Sequence, residues 1–314
     1  MKANNQPLVS IPVITYNSAK YVIETLESIK AQTYQNIELI VSDDCSTDNT
    51  IELCQKWIEQ NKKRFVRTNL ITSKENTGVS ANLNRAEGKC IGEWVKIVDG
   101  DDVLLPNCVE LFVNYIQNNP NEYFIFAKMI CFDGKKNLPD YLHDWLDLSF
   151  YCLSSSEQYK RLVLKGNCLP CPTYFYNMGY SRRLGINNDE SIPMCEDYPK
   201  WVNITKKGQK LFFMNQTVVK YRVHPDSITH QESSMFKESS ALVFLKYRFK
   251  DQFNDTPIIT LFRFFCVKYY LTKKYRYIIL VNILKMINKI TMKFFDNKIV
   301  DYTYQRRYLI KKNN

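Results

Sequence analysis

Three acidic groups stand out by residue type and spacing: Asp43-Asp44, Asp99-Gly100-Asp101-Asp102 and Glu196-Asp197. Like charges held this close are unfavourable unless a cation relieves them. Asp-x-Asp on a turn offers hard oxygen ligands to Mg²⁺ or Mn²⁺, ions that keep open positions for substrate phosphates. A divalent ion there would neutralise a diphosphate and support its departure as a leaving group. The plainer alternative is a solvated turn in which Asp102 caps the helix after Pro106. Glu196-Asp197 likewise fits a carboxylate pair at a helix N-terminus, favoured by the macrodipole.

The elements that must position these groups follow from periodicity. Val9 to Thr15 is a β-branched run predicting a strand, and Asn17 or Ser18 is placed to cap a helix carrying Val22, Ile23, Leu26 and Ile29. Ile37 to Ser42 is nearly continuous apolar, as in a strand buried on both faces of a parallel sheet. Thr47 or Asp48 would cap the next helix, which carries Ile51, Leu53, Cys54, Trp57 and Ile58. A strand at 69–72, a helix at 78–86 and a strand at 94–98 follow, then a helix ending at Asn118 and a strand at 123–132. Strand and helix alternating with brief connections predict an α/β fold with a mostly parallel sheet flanked by helices. Ligands in such sheets sit at the carboxyl ends of the strands, where Tyr16, Asp43-Asp44 and the Asp99 cluster all fall. Neither G-x-G-x-x-G nor G-x-x-x-x-G-K-[ST] occurs, so any phosphate must be held without a glycine cradle.

Several of these segments occur in one order: Val9 to Asn17, Gln32-Thr33-Tyr34, Ile37 to Asp48, Asn76-Thr77-Gly78-Val79-Ser80, and Gly92-Glu93-Trp94-Val95 before Val98-Asp99-Gly100-Asp101-Asp102. Together they resemble a family 2 glycosyltransferase of the GT-A fold, Rossmann-like in its sheet. The resemblance continues through Gly166-Asn167, Leu184-Gly185, Cys195-Glu196-Asp197-Tyr198 and Tyr221-Arg222-Val223-His224-Pro225 to Ile228. It implies a catalytic domain over 1–230, with a donor half at about 8–105 and an acceptor half at about 106–230, followed by a helical, basic extension over 231–314.

The implied activity is inverting transfer of a sugar from a nucleotide diphosphate, UDP-hexose or UDP-N-acetylhexosamine, with Mn²⁺ or Mg²⁺. By the resemblance Tyr16 lines the base and Asp44 accepts its imide N–H. Asp101 coordinates the metal, Asp99 contacts ribose or a metal-bound water, and Asp102 lies near the donor sugar. Asp197 matches the catalytic base and Glu196 supports it. His224 approaches the metal or diphosphate, with Arg222 adding positive charge. The family's donor-holding arginine is Leu83 here, and Arg85 stands two residues along, a rotation of about 200° on a helix.

The formal charge of +11 resides in the end of the chain. After Thr256 there are 13 basic and two acidic residues, and the first 256 residues hold 30 of each sign. A polyanion or anionic membrane is therefore expected to meet the tail. Ile279, Ile283, Ile287, Ile290 and Phe294 alternate with Lys285, Lys289 and Lys293 at an offset that puts them on opposite helix faces. This amphipathic, aromatic and basic pattern predicts interfacial contact with the cytoplasmic face of the inner membrane. The alternative is a helical pair packing its isoleucines on the body. No signal peptide or spanning helix is expected, and the ten scattered cysteines are expected to be cytosolic thiols, Cys168-x-x-Cys171 included.

The sequence thus predicts a peripheral enzyme extending a polyprenyl-diphosphate-linked saccharide for a bacterial O-antigen or capsule. Its competitor is a non-catalytic nucleotide-binding protein whose tail binds nucleic acid. The ordered motifs weigh against that competitor, so no nucleic acid partner is expected.

Overall fold

A computed structural model describes residues 6–138, 147–225, 227, 234–273, 277 and 280. The chain divides into two units, residues 1–162 with 167–240, and residues 163–166 with 241–314.

Among the described residues the first unit is built on nine strands. The apolar runs form β1 (Val9–Thr15), β2 (Ile37–Asp43) and β3 (Arg67–Thr72). They pair in parallel, Val9 opposite Ile37 and Thr15 opposite Asp43. Every residue of β1 and β2 is buried, as continuous apolar strands covered on both faces must be. The strand expected at 94–98 is broken into β4 (Trp94–Lys96) and β5 (Val98–Asp99), both parallel to β1. At the break the fully buried Lys96 donates its ammonium to the carbonyls of Ile97 (2.6 Å) and Pro172 (2.7 Å).

Beyond Gly100 the sheet becomes mixed. β6 (Val103–Leu104) runs antiparallel to β9 (Phe212–Arg222). β7 (Phe124–Phe132) is parallel to β9, and β8 (Phe175–Asn177) is antiparallel to both β4 and β7. The order is β3-β2-β1-β4-β8-β7-β9-β6, with β5 beside β1.

Helices α1 (Val22–Lys30), α2 (Thr50–Asn61), α3 (Val79–Glu87) and α4 (Cys108–Asn118) occupy the crossovers. Between β7 and β9 lie α5 (Ser149–Cys152), α6 (Ser155–Lys165), α7 (Met178–Arg183) and α8 (Asp197–Lys206). Val22, Leu26 and Ile29 of α1, spaced at 3.6-residue intervals, are fully buried in a core with Val9, Ile11, Val13 and Leu39. Truncating Leu26 to alanine there would cost roughly 2–5 kcal/mol. Trp94, Phe175 and Phe112 stack in sequence, with centroids 5.1 and 4.6 Å apart, across β4, β8 and α4.

The expected caps of α1 do other work. Asn17 adopts a left-handed φ of 51°, and its side chain accepts the Thr47 N–H at 2.8 Å, tying the end of β1 to the end of β2. Ser18 lends its carbonyl, not its side chain, to the first turn.

After β9 come α9 (Ser234–Val243), most of which belongs to the first unit, and, in the second unit, a π-helical turn at Phe244–Arg248, α10 (Phe249–Asp255) and α11 (Pro257–Thr272). Phe249 of α10 packs on Phe264 of α11 at 4.7 Å. The first unit runs to Ser240. The isoleucine and lysine rows from Ile279 to Phe294 lie outside the described residues. Among the described residues no helix is long and apolar enough to cross a membrane.

Candidate active site

The carboxyl ends of β1, β2 and β5 bring most of the predicted residues together, under two kinds of electrostatic control.

At the end of β2 the carboxylates are met by protein donors. Asp43 accepts the Thr15 hydroxyl (2.7 Å), the Ser46 amide (2.8 Å) and the Ser46 hydroxyl (2.6 Å). Asp44, buried at 3% exposure, accepts the Thr77 amide (2.9 Å) and Gly78 amide (2.7 Å) on Oδ2. On Oδ1 it accepts the Thr77 hydroxyl (2.7 Å) and the Arg85 guanidinium (2.5 Å). Arg85 therefore does reach Asp44. The helical rotation that separates it from position 83 turns Leu83 into the buried face and swings Arg85 onto Thr77 and Asp44. Two donors on each Asp44 oxygen fill a carboxylate's usual capacity. In this conformation an imide N–H would have to displace one of them. Tyr16, directly after β1, is 47% exposed.

The second kind begins at Asp99. Burial, then the charge of Asp101, push the Asp99 carboxyl up to about 7. Burial likewise pushes Asp102 well above the usual carboxylate range, with Asp101 and Asp99 adding to it. Glu196 is pushed up to about 8 by burial and by the charges of Asp197 and Asp99. One cleft is lined by Asp99, Glu196, Asp197 and Lys200, with Ile14, Leu83 and Trp201 as apolar walls. Lys200 is held by Glu87 at 2.9 Å, so its charge is already paired.

Two of the predicted residues are engaged differently. Asp102 neither caps α4, whose N-cap is Asn107, nor opens toward a sugar: it is 1% exposed and accepts the Arg222 main-chain N–H at 2.9 Å. Arg222 is no free cation for a diphosphate. Its guanidinium donates to the Asp101 carbonyl (2.8 Å) and Glu24 (2.5 Å) between the rings of Tyr21 and Phe132, so it clamps the end of β9 beneath the acidic turn. His224 does belong to the acidic turn, with Nε2 lying 2.9 Å from Asp101 Oδ2.

Asp101 and His224 supply one hard oxygen and one imidazole nitrogen. Among the described residues no three His, Cys, Asp or Glu side chains gather into a metal cage. Two protein ligands suit Mg²⁺ or Mn²⁺ held jointly with substrate phosphates and water, since such ions are commonly bound through one or two carboxylates plus phosphate. The Asp101 side chain is 29% exposed, so it is open to such an ion.

Sequence reasoning did not assign Thr77 and Gly78, although both lie in a quoted motif. Gly78 is needed for its φ of 87° and because a Cβ would meet Pro193 at 2.6 Å. Asn167, also quoted without a role, donates Nδ2–H to Asp197 Oδ2 at 2.6 Å. Lys96 carried no signal, being one lysine in an apolar strand.

The sequence profile described as "Glycosyl transferase family 2" matches residues 10–183. The chain is 24% identical over 237 residues to the putative teichuronic acid biosynthesis glycosyltransferase TuaG of Bacillus subtilis, covering 75% of this chain and 87% of that one. It is 28% identical over 251 residues to an uncharacterized glycosyltransferase of Rickettsia typhi, covering 77% of this chain and 72% of the relative. Among solved structures, S. aureus TarS 1–349 in complex with UDP-GlcNAc matches with a TM-score of 0.59 at 20% identity, over 76% of this chain and 65% of that one. The match to the longer TarS chain covers 43% of it. A Pyrobaculum calidifontis mannosyltransferase in complex with GDP-Man and Mn²⁺ matches with a TM-score of 0.58 at 18% identity, over 80% and 65% of the two chains. The structural likenesses establish the GT-A fold, and with more than half of the chain matched by the family profile, this protein belongs to glycosyl transferase family 2.

Proposed function

We propose that the chain transfers a hexose or N-acetylhexosamine with inversion from a nucleotide diphosphate, UDP in the first instance, to a hydroxyl of a lipid-linked saccharide in bacterial surface-polysaccharide synthesis. The observation that carries this is the single cleft shared by Asp99, Glu196 and Asp197 beside the Asp101–His224 pair. A donor diphosphate and an acceptor hydroxyl need opposite electrostatic treatment within a few ångströms, and this cleft offers both. Neighbours of the same fold were solved with UDP-GlcNAc or with GDP-Man and Mn²⁺, and a relative is named for teichuronic acid biosynthesis. These support a nucleotide-sugar donor and a polysaccharide product.

In the mechanism, Tyr16 stacks on the base, and the Asp44–Thr77–Arg85 group lines the pocket that receives it. Asp101 and His224 would hold Mn²⁺ or Mg²⁺. The ion, when bound, supplies charge neutralisation to the departing diphosphate. Asp197 takes the proton from the acceptor hydroxyl as that oxygen attacks the anomeric carbon opposite the leaving group. Glu196, its carboxyl held largely protonated near neutral pH, leaves Asp197 as the carboxylate that accepts this proton.

The proposed membrane contact draws support from α11, where among the described side chains only Thr260 is buried while Phe262, Phe264, Phe265, Tyr269 and Tyr270 stay half-covered beside Arg263 and Lys268. Such a surface suits an anionic bilayer carrying a polyprenyl-diphosphate acceptor. The test is release of UDP from a panel of UDP-sugars, with GDP-mannose as comparator, in Mn²⁺ with and without EDTA. EDTA-sensitive release with a GlcNAc-diphosphate-lipid analogue supports the reading. No release from any nucleotide sugar would refute it.

A further inference from the structure

We infer that Asn167 is a positioning residue that selects Asp197, not its neighbour Glu196, as the ionised carboxylate of the cleft and fixes its orientation toward the acceptor. This rests on the reading of Asp197 as base.

The two adjacent carboxyls are treated differently by the protein. Asp197 Oδ2 accepts the Asn167 amide N–H at 2.6 Å, and Asp197 Oδ1 accepts the Tyr198 main-chain N–H at 2.6 Å. An amide NH₂ only donates, and donation to a carboxylate favours its charged form. Among the described residues no side chain donates to Glu196, and burial together with Asp197 and Asp99 pushes it the other way. Crowded carboxyls titrate as a group, and which one carries the charge is decided by where the hydrogen-bond donors are placed.

Asn167 is itself held in place. Its Oδ1 accepts the Leu169 N–H at 3.1 Å, which leaves the NH₂ end directed at Asp197. Gly166 precedes it at φ 94°, a conformation that brings the chain into this turn and that other residues adopt at a cost. With both oxygens anchored, the carboxylate cannot rotate freely, and the geometry of proton transfer is set before the acceptor arrives. The asparagine lies 30 residues from the base it serves, so no local motif announces the pair.

The test uses the full chain, the UDP-sugar giving the fastest release, Mn²⁺ and a GlcNAc-diphosphate-lipid analogue. For Asn167→Ala, kcat is expected to fall about tenfold to a hundredfold, the loss of one charge-assisted hydrogen bond. UDP affinity should stay within about twofold, and the acid limb of kcat/KM should move up by about one pH unit as the base loses its donor. Asn167→Asp, which replaces the donor by a second acceptor, should lose more. Asn167→Ser keeps a polar residue at the turn but does not span the distance, and should show the same limb shift if the alanine variant folds poorly. A wild-type kcat and limb in Asn167→Ala overturns the inference, as does a loss of kcat that tracks thermal stability with no limb shift. Asp197→Asn serves as the control: if it retains transfer, the base reading fails, whereas an inactive Asp197→Asn beside a fully active Asn167→Ala fails only the role of Asn167.

Discussion

The Asp43-Asp44 pair and the Asp99–Glu196 cleft use the same side chains and lie at the ends of strands of one sheet, yet the protein treats them in opposite ways. Around Asp43 and Asp44 seven hydroxyl, amide and guanidinium donors converge on four oxygens. Around Asp99, Asp102 and Glu196, burial and mutual repulsion push each carboxyl upward. The buried cations nearby are committed elsewhere: Lys96 gives its ammonium to two carbonyls, Lys200 is paired with Glu87, and the Arg222 guanidinium donates to Glu24 and the Asp101 carbonyl. The first pair has its donors supplied by the protein itself. The second group is left under-compensated, the state expected of a site that awaits a divalent ion, a diphosphate and an acceptor hydroxyl.

The largest effects should come from removing members of the under-compensated group. Asp197→Asn is expected to lower transfer about 10³-fold, the worth of a positioned general base, while UDP binding by titration calorimetry stays near wild type. Full transfer would place the base elsewhere. Next, Asp101→Ala should abolish the Mn²⁺-dependent part of UDP binding and leave His224 without its partner. Unchanged Mn²⁺ dependence would remove Asp101 from the metal site.

Stability should separate the two regions by sign. Asp44→Asn exchanges an acceptor for a donor facing Thr77, Gly78 and Arg85, and should destabilise the fold by about 2–3 kcal/mol in urea unfolding. Glu196→Gln removes a carboxyl that burial opposes and should stabilise by about 1 kcal/mol at pH 8 without divalent ions, a gain of the kind found when an active-site strain is relaxed. Equal signs for the two variants would erase the contrast between the regions.

The same contrast explains what could be seen in the sequence. β1, β2, α1 and α2 announced themselves because continuous apolar strands and a 3.6-residue period are local signals. The acidic turn and the Glu196-Asp197 pair were visible as local clusters in a known order. What escaped was non-local. That Arg85 meets Asp44 across 41 residues depends on how α3 sits on β2, and helical rotation alone argued against it. Arg222 could be taken for a phosphate ligand because its aromatic clamp, Tyr21 and Phe132, comes from two distant segments. The split of the fourth strand at Ile97 follows from one lysine's carbonyl contacts, which no periodicity encodes.

The contrast also governs the pH dependence of stability, whose sign is fixed by the direction of the Glu196 shift. In the unfolded chain this carboxyl loses its proton near the ordinary value of 4.5, whereas in the folded protein it holds the proton up to about 8. Between those values the folded state binds more protons than the unfolded one, so unfolding free energy falls as pH rises from about 5 to 8 and levels off above. Asp99, pushed up to about 7, contributes in the same direction over a narrower window. In EDTA and without nucleotide, the melting temperature should therefore drop across this range, and Glu196→Gln should flatten the drop while leaving the acid end unchanged. Asp43→Asn should not flatten it, because Asp43 is met by the Thr15 and Ser46 donors and lies outside the cleft that holds Glu196 and Asp99. A wild-type melting temperature that rises from pH 5 to 8, with Glu196→Gln parallel to it, would show that the cleft carboxyls are compensated after all.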